Sequence, residues 1–563
     1  MKGKSSYPLL TLGLAMRTIC LVAVALTLAA CHKSSSSSAT TGTYTIGGTI
    51  SGLTTGTVVL LNGDDTVSIA AGATTWVFAS SFAANSGYEV IVESQPVGVL
   101  CDVANGGTGT TLTGNVDNVT VTCSVYGQWT WEGGLNAVNA TGVYGTQGAA
   151  AASNLPSARY DSGSWTDSSG NLWLFGGYGY DSTGALGTLN DLWRYSPSSG
   201  QWTWVGGGNG ENASGVYGRQ GNAAAANMPG ARYSASTWVD SSGNLWLFGG
   251  YGYDSTGTLG SLNDLWRYSP SSQEWTWIGG GNGENASGVY GAQGAAAASD
   301  VPGARYAASS WIDTSGNLWL FGGFGYDSTG AVGYLNDLWR YSLSNGLWTW
   351  VGGGTGDNTS GVYGTPVTPS ASNQPGARQA ANSWIDSSGN VWLFGGYGYD
   401  STGGVGYLND LWQFNLSTGW WTWVTGGSGD NASGAYGTEG TAAASSTPGA
   451  RQAAATAIDT SGNLWLFGGG GYDSNGAVGY LNDLWQFSLS TGQWTWVNGS
   501  DVRNATGTYA TQGSASGSNI PGARQAAMSW SDSSGSLWLY GGVGYDSTTN
   551  GYLNDLWQFV PPQ

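Results

Sequence analysis

The sequence predicts an all-β chain in which a small β-sandwich-like domain precedes a ring of six similar sheets. Three observations carry that prediction. A 73-residue unit is written six times in succession from about residue 129 to the C-terminus. Each copy has a diglycine after an apolar run such as Leu172–Phe175: Gly176-Gly177, Gly249-Gly250, Gly322-Gly323, Gly395-Gly396, Gly468-Gly469 and Gly541-Gly542. Tryptophan and tyrosine recur in short β-type runs separated by turn residues, while charged residues make up only 9% of the chain. A fixed period of short strands means supersecondary units that share a core, and that aromatic content is not a disordered composition.

One copy parses into four strands. Arg159 to Trp165 is the first, and Asp167–Asn171 is a tight turn in which Gly170 can take a positive φ. Leu172–Phe175 is the second strand and is expected to end at the diglycine. Leu189–Tyr195 is the third and Trp202–Val205 the fourth. Four short antiparallel strands repeated radially describe a propeller blade. The Trp-Thr-Trp strand begins at Trp129, Trp202, Trp275, Trp348, Trp421 and Trp494, so its first copy precedes the first diglycine, while the last unit stops at Phe559 without one. Gln128–Trp131 is therefore expected to supply the outer strand of the sixth blade, because an unclosed ring would leave two exposed edges.

The order of diglycine, then Asn-Asp-Leu-Trp, then a tryptophan-containing strand resembles the kelch repeat of β-propellers over roughly residues 126–560. The resemblance implies a six-bladed kelch-type β-propeller closed by an N-terminal strand. Kelch repeats run near ~50 residues, so the extra length here has to be placed. Strands alternate direction, which puts the short turns Asp167–Asn171 and Ser196–Gln201 on one face. The longer connections fall on the other: Tyr178–Thr188 inside a blade, and the stretch through Gly206–Gly218 to Pro229 between blades. Function on such scaffolds tends to sit on loops, making this rim the candidate binding face.

Several residues recur there six times. Tyr144, Tyr217, Tyr290, Tyr363, Tyr436 and Tyr509 occupy equivalent loop positions. Their rings could stack on sugar faces, or could pack each loop down onto its blade. Asp181, Asp254, Asp327, Asp400, Asp473 and Asp546 could help to coordinate calcium. No segment has the Asp-x-Asp-x-Asp-Gly spacing, and turn capping competes with that role. Beyond possible calcium, no cofactor is called for. Arg159 and Asp191, with their equivalents, predict a buried ion pair between strands. Asn139-Ala-Thr and its equivalents fit either a glycosylation sequon or a turn. The copies also split into halves: three carry Arg-Tyr with Leu-Trp-Arg-Tyr, and three carry Arg-Gln with Leu-Trp-Gln-Phe. Direct contact or duplication of a three-unit block would each explain the joint change. All tryptophans but Trp76 lie in the repeats, where they are expected to wedge between blades.

Upstream, residues 18–30 form an apolar stretch behind Arg17, laid out as a secretory signal within 1–30 and too short to span a bilayer comfortably. Met16 is an alternative start. The stretch ends in Leu28-Ala-Ala-Cys31, which resembles the lipobox of bacterial lipoproteins; the resemblance implies acylation of Cys31, with 31–42, including Ser34–Ser38, as a tether. His32, rather than an acidic residue, after the cysteine points to the outer membrane of a Gram-negative cell. Residues 43–124 read as a separate β module, with strands expected at Tyr44–Ile50, Thr57–Leu61, Thr75–Ala79, Tyr88–Glu93 and Val119–Cys123. Tyr-Thr-Ile-Gly-Gly-Thr-Ile-Ser-Gly-Leu, with a later cysteine pair, resembles immunoglobulin-like or carboxypeptidase-regulatory-like surface modules. Cys101 and Cys123 are expected to form one disulfide, and the propeller is assigned 126–563.

Composition then narrows function. The formal charge is −19 and Lys33 is the last lysine, so nucleic acid and anionic lipid faces are poor partners. Kelch-type propellers include enzymes such as galactose oxidase, whose copper site uses histidines and a Cys–Tyr crosslink. The single histidine here is His32 and the repeats have no cysteine, which removes that chemistry and any Ser-His-Asp set. The expectation is a monomeric propeller, held at a membrane by its lipid, that binds a glycan or protein through the long-loop face. The alternative is a carboxylate-dependent glycan hydrolase or lyase.

Overall fold

The structure, a computed structural model, describes residues 42–562 apart from 54–55, 97–98 and 126. The signal segment, Cys31 and the serine tether lie outside the described residues.

Residues from 129 to 559 form six sheets of the expected blade type. In blade one the first strand is in two pieces, Arg159–Tyr160 and Gly163–Thr166, both antiparallel to Leu172–Tyr180. Leu186–Ser196 follows as the third strand and Gln201–Gly206 as the outer one. The expected end of the second strand at the diglycine is corrected. The strand runs straight through it, with a register shift between Phe175 and Gly177. Gly176 and Gly177 take φ of 62° and 98°, and a Cβ on Gly176 would lie 2.7 Å from the carbonyl oxygens of both Leu189 and Arg232 of the next blade. Only glycine allows that approach, so the diglycine is a bulge rather than a stop. Tyr178–Thr188 is consequently not a long loop. It is two strand ends joined by the turn Asp181–Ala185, and the extra length lies in taller blades and in the connections between them.

The ring closes as expected. Trp129–Gly133 pairs antiparallel with Asn550–Phe559, Trp129 opposite Phe559. The Trp530 indole N–H of blade six donates to the Trp173 carbonyl of blade one at 3.2 Å, the same inter-blade bond that Trp165 makes to Trp246 and Trp238 makes to Trp319. Blade five has Ala457 at that position. Arg194, Arg267 and Arg340 lie over Trp173, Trp246 and Trp319 at 5.6, 5.8 and 5.8 Å. In blade one Arg194 is opposite Trp173 and Tyr160 opposite Tyr178. Five residues of strand separate the two, about 17 Å, so the paired half-and-half switches do not touch, and direct contact does not explain them.

The N-terminal residues form smaller sheets. Ile46–Ser51 lies between Thr75–Val77 and Val116–Val125, and Val99–Asn105 completes that sheet. Val99–Asn105 and Asp65–Ala70 were not among the expected strands. Cys101 and Cys123 sit directly opposite on neighbouring strands and are joined by a disulfide.

Deleting residues 1–133 should expose the Asn550–Phe559 edge and give a lower thermal midpoint with self-association on gel filtration, whereas deleting 1–126 should leave the propeller's midpoint unchanged.

Candidate functional site

The recurring charged residues meet inside each blade. Arg159 grips Asp191 with two bonds, Nη1 to Oδ1 at 2.6 Å and Nη2 to Oδ2 at 2.7 Å, and both side chains are fully buried. Nη1 also donates to the Gly176 carbonyl and Nε to the Ser157 carbonyl. Asp191 Oδ2 additionally accepts the Trp193 indole N–H and the Tyr144 hydroxyl, each at 2.7 Å. All six blades repeat the pair. A desolvated pair is tolerable when its remaining hydrogen-bonding capacity is filled, as it is here. Burial works against the Arg159 charge, and the carboxylate beside it more than compensates, so its pKa moves up.

This placement corrects the role of the loop tyrosines as ligand platforms. Tyr144, Tyr217, Tyr290, Tyr363, Tyr436 and Tyr509 give their hydroxyls to the blade aspartates, and the Tyr144 ring packs on Trp193 and Trp204. Burial, followed by the adjacent carboxylate, pushes each phenol well up. The calcium candidates cap turns. Asp181 Oδ1 accepts from the Thr183 N–H and hydroxyl and from the Ala185 N–H. Burial disfavours its charge, yet these bonds hold its carboxyl below the ordinary range. The same turn recurs at Asp254, Asp327, Asp400, Asp473 and Asp546, and no group of three potential metal-ligating side chains occurs among the described residues. Asn212, equivalent to Asn139, sits at φ 61° and accepts the Thr188 N–H, which is the turn role.

What the symmetric elements leave free lies around the axis. Between the two pieces of each first strand, one residue adopts the left-handed conformation: Asp161, Ser234, Ala307, Ala380, Ala453 and Ala526, at φ between 50° and 55°. Their backbones form a closed circle. Ser234 donates to Asp161, Ala307 to Ser234, Ala380 to Ala307, Ala453 to Ala380, Ala526 to Ala453 and Asp161 back to Ala526, at 2.8–3.0 Å. Alanine in this conformation costs about 1–2 kcal/mol, and the circle offsets it. A cavity of about 220 Å³ lies against the ring on the axis. Asp161 is the only charged residue lining it; Oδ2 accepts the Ser234 hydroxyl at 2.7 Å. Burial pushes its carboxyl up to about 6, against the lowering effect of Ser234.

Above the ring, on the long-connection face, an aromatic belt surrounds part of the mouth. Tyr552 stacks on Tyr160 with centroids 5.6 Å apart and planes at 7°. The belt continues through Tyr233, Tyr251, Tyr306, Phe324 and Tyr334 to Tyr397 and Tyr407. These rings are half-buried. Nearest the axis the belt stops at blade three, and Gln379, Gln452 and Gln525 take the positions of Tyr160, Tyr233 and Tyr306. Gln379 Oε1 and Gln452 Oε1 are buried without a partner.

Residues 292–498, spanning blades three to five, match the KLHDC2/KLHL20/DRC7 Kelch-repeats domain. The fold is a six-bladed kelch propeller. No curated protein matches the chain significantly. Sequence reasoning noticed the tyrosine-to-glutamine switch that divides the kelch mouth, but not that it lies at the axis. It missed Asp161, although this is the one carboxylate at a position held elsewhere by serine or alanine.

Asp410→Ala strands the buried Arg378 and should lower stability by about 3–5 kcal/mol, whereas Tyr363→Phe, which removes one hydrogen bond to a charged group, should lower it by about 1.5–3 kcal/mol; urea unfolding measures both. The folded pKa of Asp161 lies above its unfolded value, so its ionisation disfavours the fold. That penalty is absent below about pH 4 and complete above about pH 6. The thermal midpoint of Asp161→Ala should therefore rise relative to the parent as pH increases across that window, and hold a constant offset from it below about pH 4.

Proposed function

We propose that the propeller is a binding platform whose partner seats on the axial mouth of the long-connection face. The observation that carries this reading is the mouth's division into an aromatic half and an amide half. Rings there are partly exposed, and none of the phenol hydroxyls at Tyr160, Tyr233 and Tyr306 is spent on an acceptor among the described residues. Everything repeated six times is tied into the blades, so the mouth is where the chain has side-chain chemistry to spare. The partner class favoured is protein, because kelch repeats suggest an interaction propeller and tyrosine supplies large contact area at small entropic cost. The partly exposed tyrosine faces also support a glycan, whose apolar faces stack on rings while hydroxyls meet amides. A two-carboxylate hydrolase has less to draw on. The repeated aspartates are committed to ion pairs and turns, and Asp161 has no second carboxylate beside it in the axial cavity.

The setting proposed is the cell exterior. Acylated Cys31 would hold the chain at the outer membrane, with the serine run and the disulfide-linked module as spacers. A platform of this kind presents its mouth outward without needing a catalytic group.

Replacing Tyr233 and Tyr306 together by alanine should reduce binding to whole cells, cell extracts or glycan arrays at least tenfold, with circular dichroism and thermal midpoint near the parent's. Undiminished binding by that variant would refute the mouth as the site, and a signal confined to the glycan array would select the carbohydrate reading.

A further inference from the structure

The long connection before each blade does more than carry its tyrosine inward. In five of the six blades it also lies along the blade's outer strand. Ala150–Ala151 pairs with Trp202 and Thr203, Ala224 with Trp275, Ser370 with Trp421, Ala443 with Trp494, and Ala515–Ser516 with Trp129 and Thr130. Four of those connections are pinned by one asparagine whose amide donates twice. Asn154 Nδ2 reaches the carbonyls of Ala149 and Trp202 at 2.9 and 3.1 Å, and Asn227 reaches those of Asn222 and Trp275 at 2.9 and 3.0 Å. Asn373 and Asn519 repeat the pattern on Trp421 and Trp129.

Blade three breaks it. The residue there is Asp300, which is 4% exposed, and neither Oδ1 nor Oδ2 has a hydrogen-bond partner. A carboxylate cannot donate to the two carbonyls that asparagine serves, those of Ala295 and Trp348 by repeat equivalence. Its oxygens would repel them instead. The bridge from the connection to Trp348 is the one missing among the six. A cavity of about 320 Å³ opens at the gap, lined by Asp300, Trp348 and Gly279–Gly281 among others. Gly291, whose counterparts Gly145, Gly218, Gly364 and Gly437 all have φ between 61° and 66°, is not in the positive-φ region.

An unpaired buried carboxylate standing where the sister blades have a donor to two carbonyls leaves the site without a positive group that binds several oxygens at once. The nearest cationic side chains are no remedy, since no ion pair to Asp300 forms among the described residues. We propose that Asp300 and the Trp348 carbonyl hold a hard, oxygen-seeking cation of calcium size, which replaces the asparagine amide as the link between connection and outer strand. Such ions take six to eight oxygens. The protein supplies the carboxylate and backbone carbonyls, and the cavity has room for the waters that complete the shell. With one formal charge in the site, affinity should fall at the weak end known for calcium modules, on the order of 10⁻⁴–10⁻³ M. This site is separate from the axial mouth and from the turn-capping aspartates.

The test uses the sister repeats as its guide. Asp300→Asn restores the residue found in four of them and should fold well. After chelator treatment, calcium titrated into the parent protein should give one binding event per chain by calorimetry and raise the thermal midpoint; sodium and potassium arms identify which hard cation fills the site best. Asp300→Asn should bind no cation at this stoichiometry, show no cation-dependent midpoint, and unfold at a higher temperature than the cation-free parent. Binding that persists in Asp300→Asn would overturn the proposal. So would a parent whose midpoint ignores all three cations, whatever the stability of Asp300→Asn.

Discussion

An arginine and an aspartate buried at the centre of every blade set the constraint to which the rest of the repeat responds. Arg159 comes from the first strand, Asp191 from the third, the Gly176 carbonyl from the bulge of the second, and Tyr144 from the connection that enters the blade. Four pieces of chain must converge before the pair is satisfied: losing the arginine or the aspartate strands a charge in the interior, and losing the tyrosine or the bulge carbonyl removes a hydrogen bond to that charge. Much of the long repeat follows from this. The connection has to travel far enough to bring its tyrosine to the aspartate and then return to the next arginine. The diglycine has to bulge so that its carbonyl points at the guanidinium while the second strand continues past it.

That economy separates scaffold from site. In a six-fold array, a residue required by the blade is required six times, and the arginines, blade aspartates, loop tyrosines and diglycines all obey. Residues free of that requirement can drift, and they gather at the axis. The left-handed circle tolerates alanine, serine or aspartate alike, because the backbone makes its bonds. The mouth above it changes from tyrosine to glutamine halfway round. Asp161 is destabilising where it stands, since burial raises its pKa, and four sister positions show that alanine serves the fold. A carboxylate retained against its own solvation fits a group that meets something other than the protein.

The scaffold was legible in the sequence because repetition amplifies it. The period, the closing strand at Trp129, the Arg–Asp pair and the inter-blade tryptophans each appear in several copies, and each follows from a rule about edges, charges or aromatic packing. The misread elements depend on backbone geometry that composition does not encode. A diglycine marks an end or a bulge with equal fluency, and only the carbonyls crowding Gly176 decide it. Left-handed alanines carry no signature at all, so the axial circle was invisible and Asp161 with it. The loop tyrosines were ambiguous for another reason: an aromatic beside polar residues looks the same whether its hydroxyl faces a ligand or a buried aspartate forty-seven residues away.

The outer rim obeys a different logic from the axis. Each blade ends in a strand whose outward N–H and C=O groups would invite pairing with another chain, and the incoming connection covers part of that edge. A donor aimed at the exposed carbonyls holds that cover in four blades, which is the role of the recurring asparagine and why aspartate at position 300 matters more than a one-atom change suggests. Exchanging the amide for a carboxylate turns two attractions into two repulsions at a buried site. Blade five shows that the bridge survives without asparagine, since Ser446 leaves Ala443 paired with Trp494. Loss of the donor alone therefore does not open blade three; the negative charge does. A bound cation removes that charge and bridges the same oxygens, making it the one ligand that closes this edge by the chemistry that parted it.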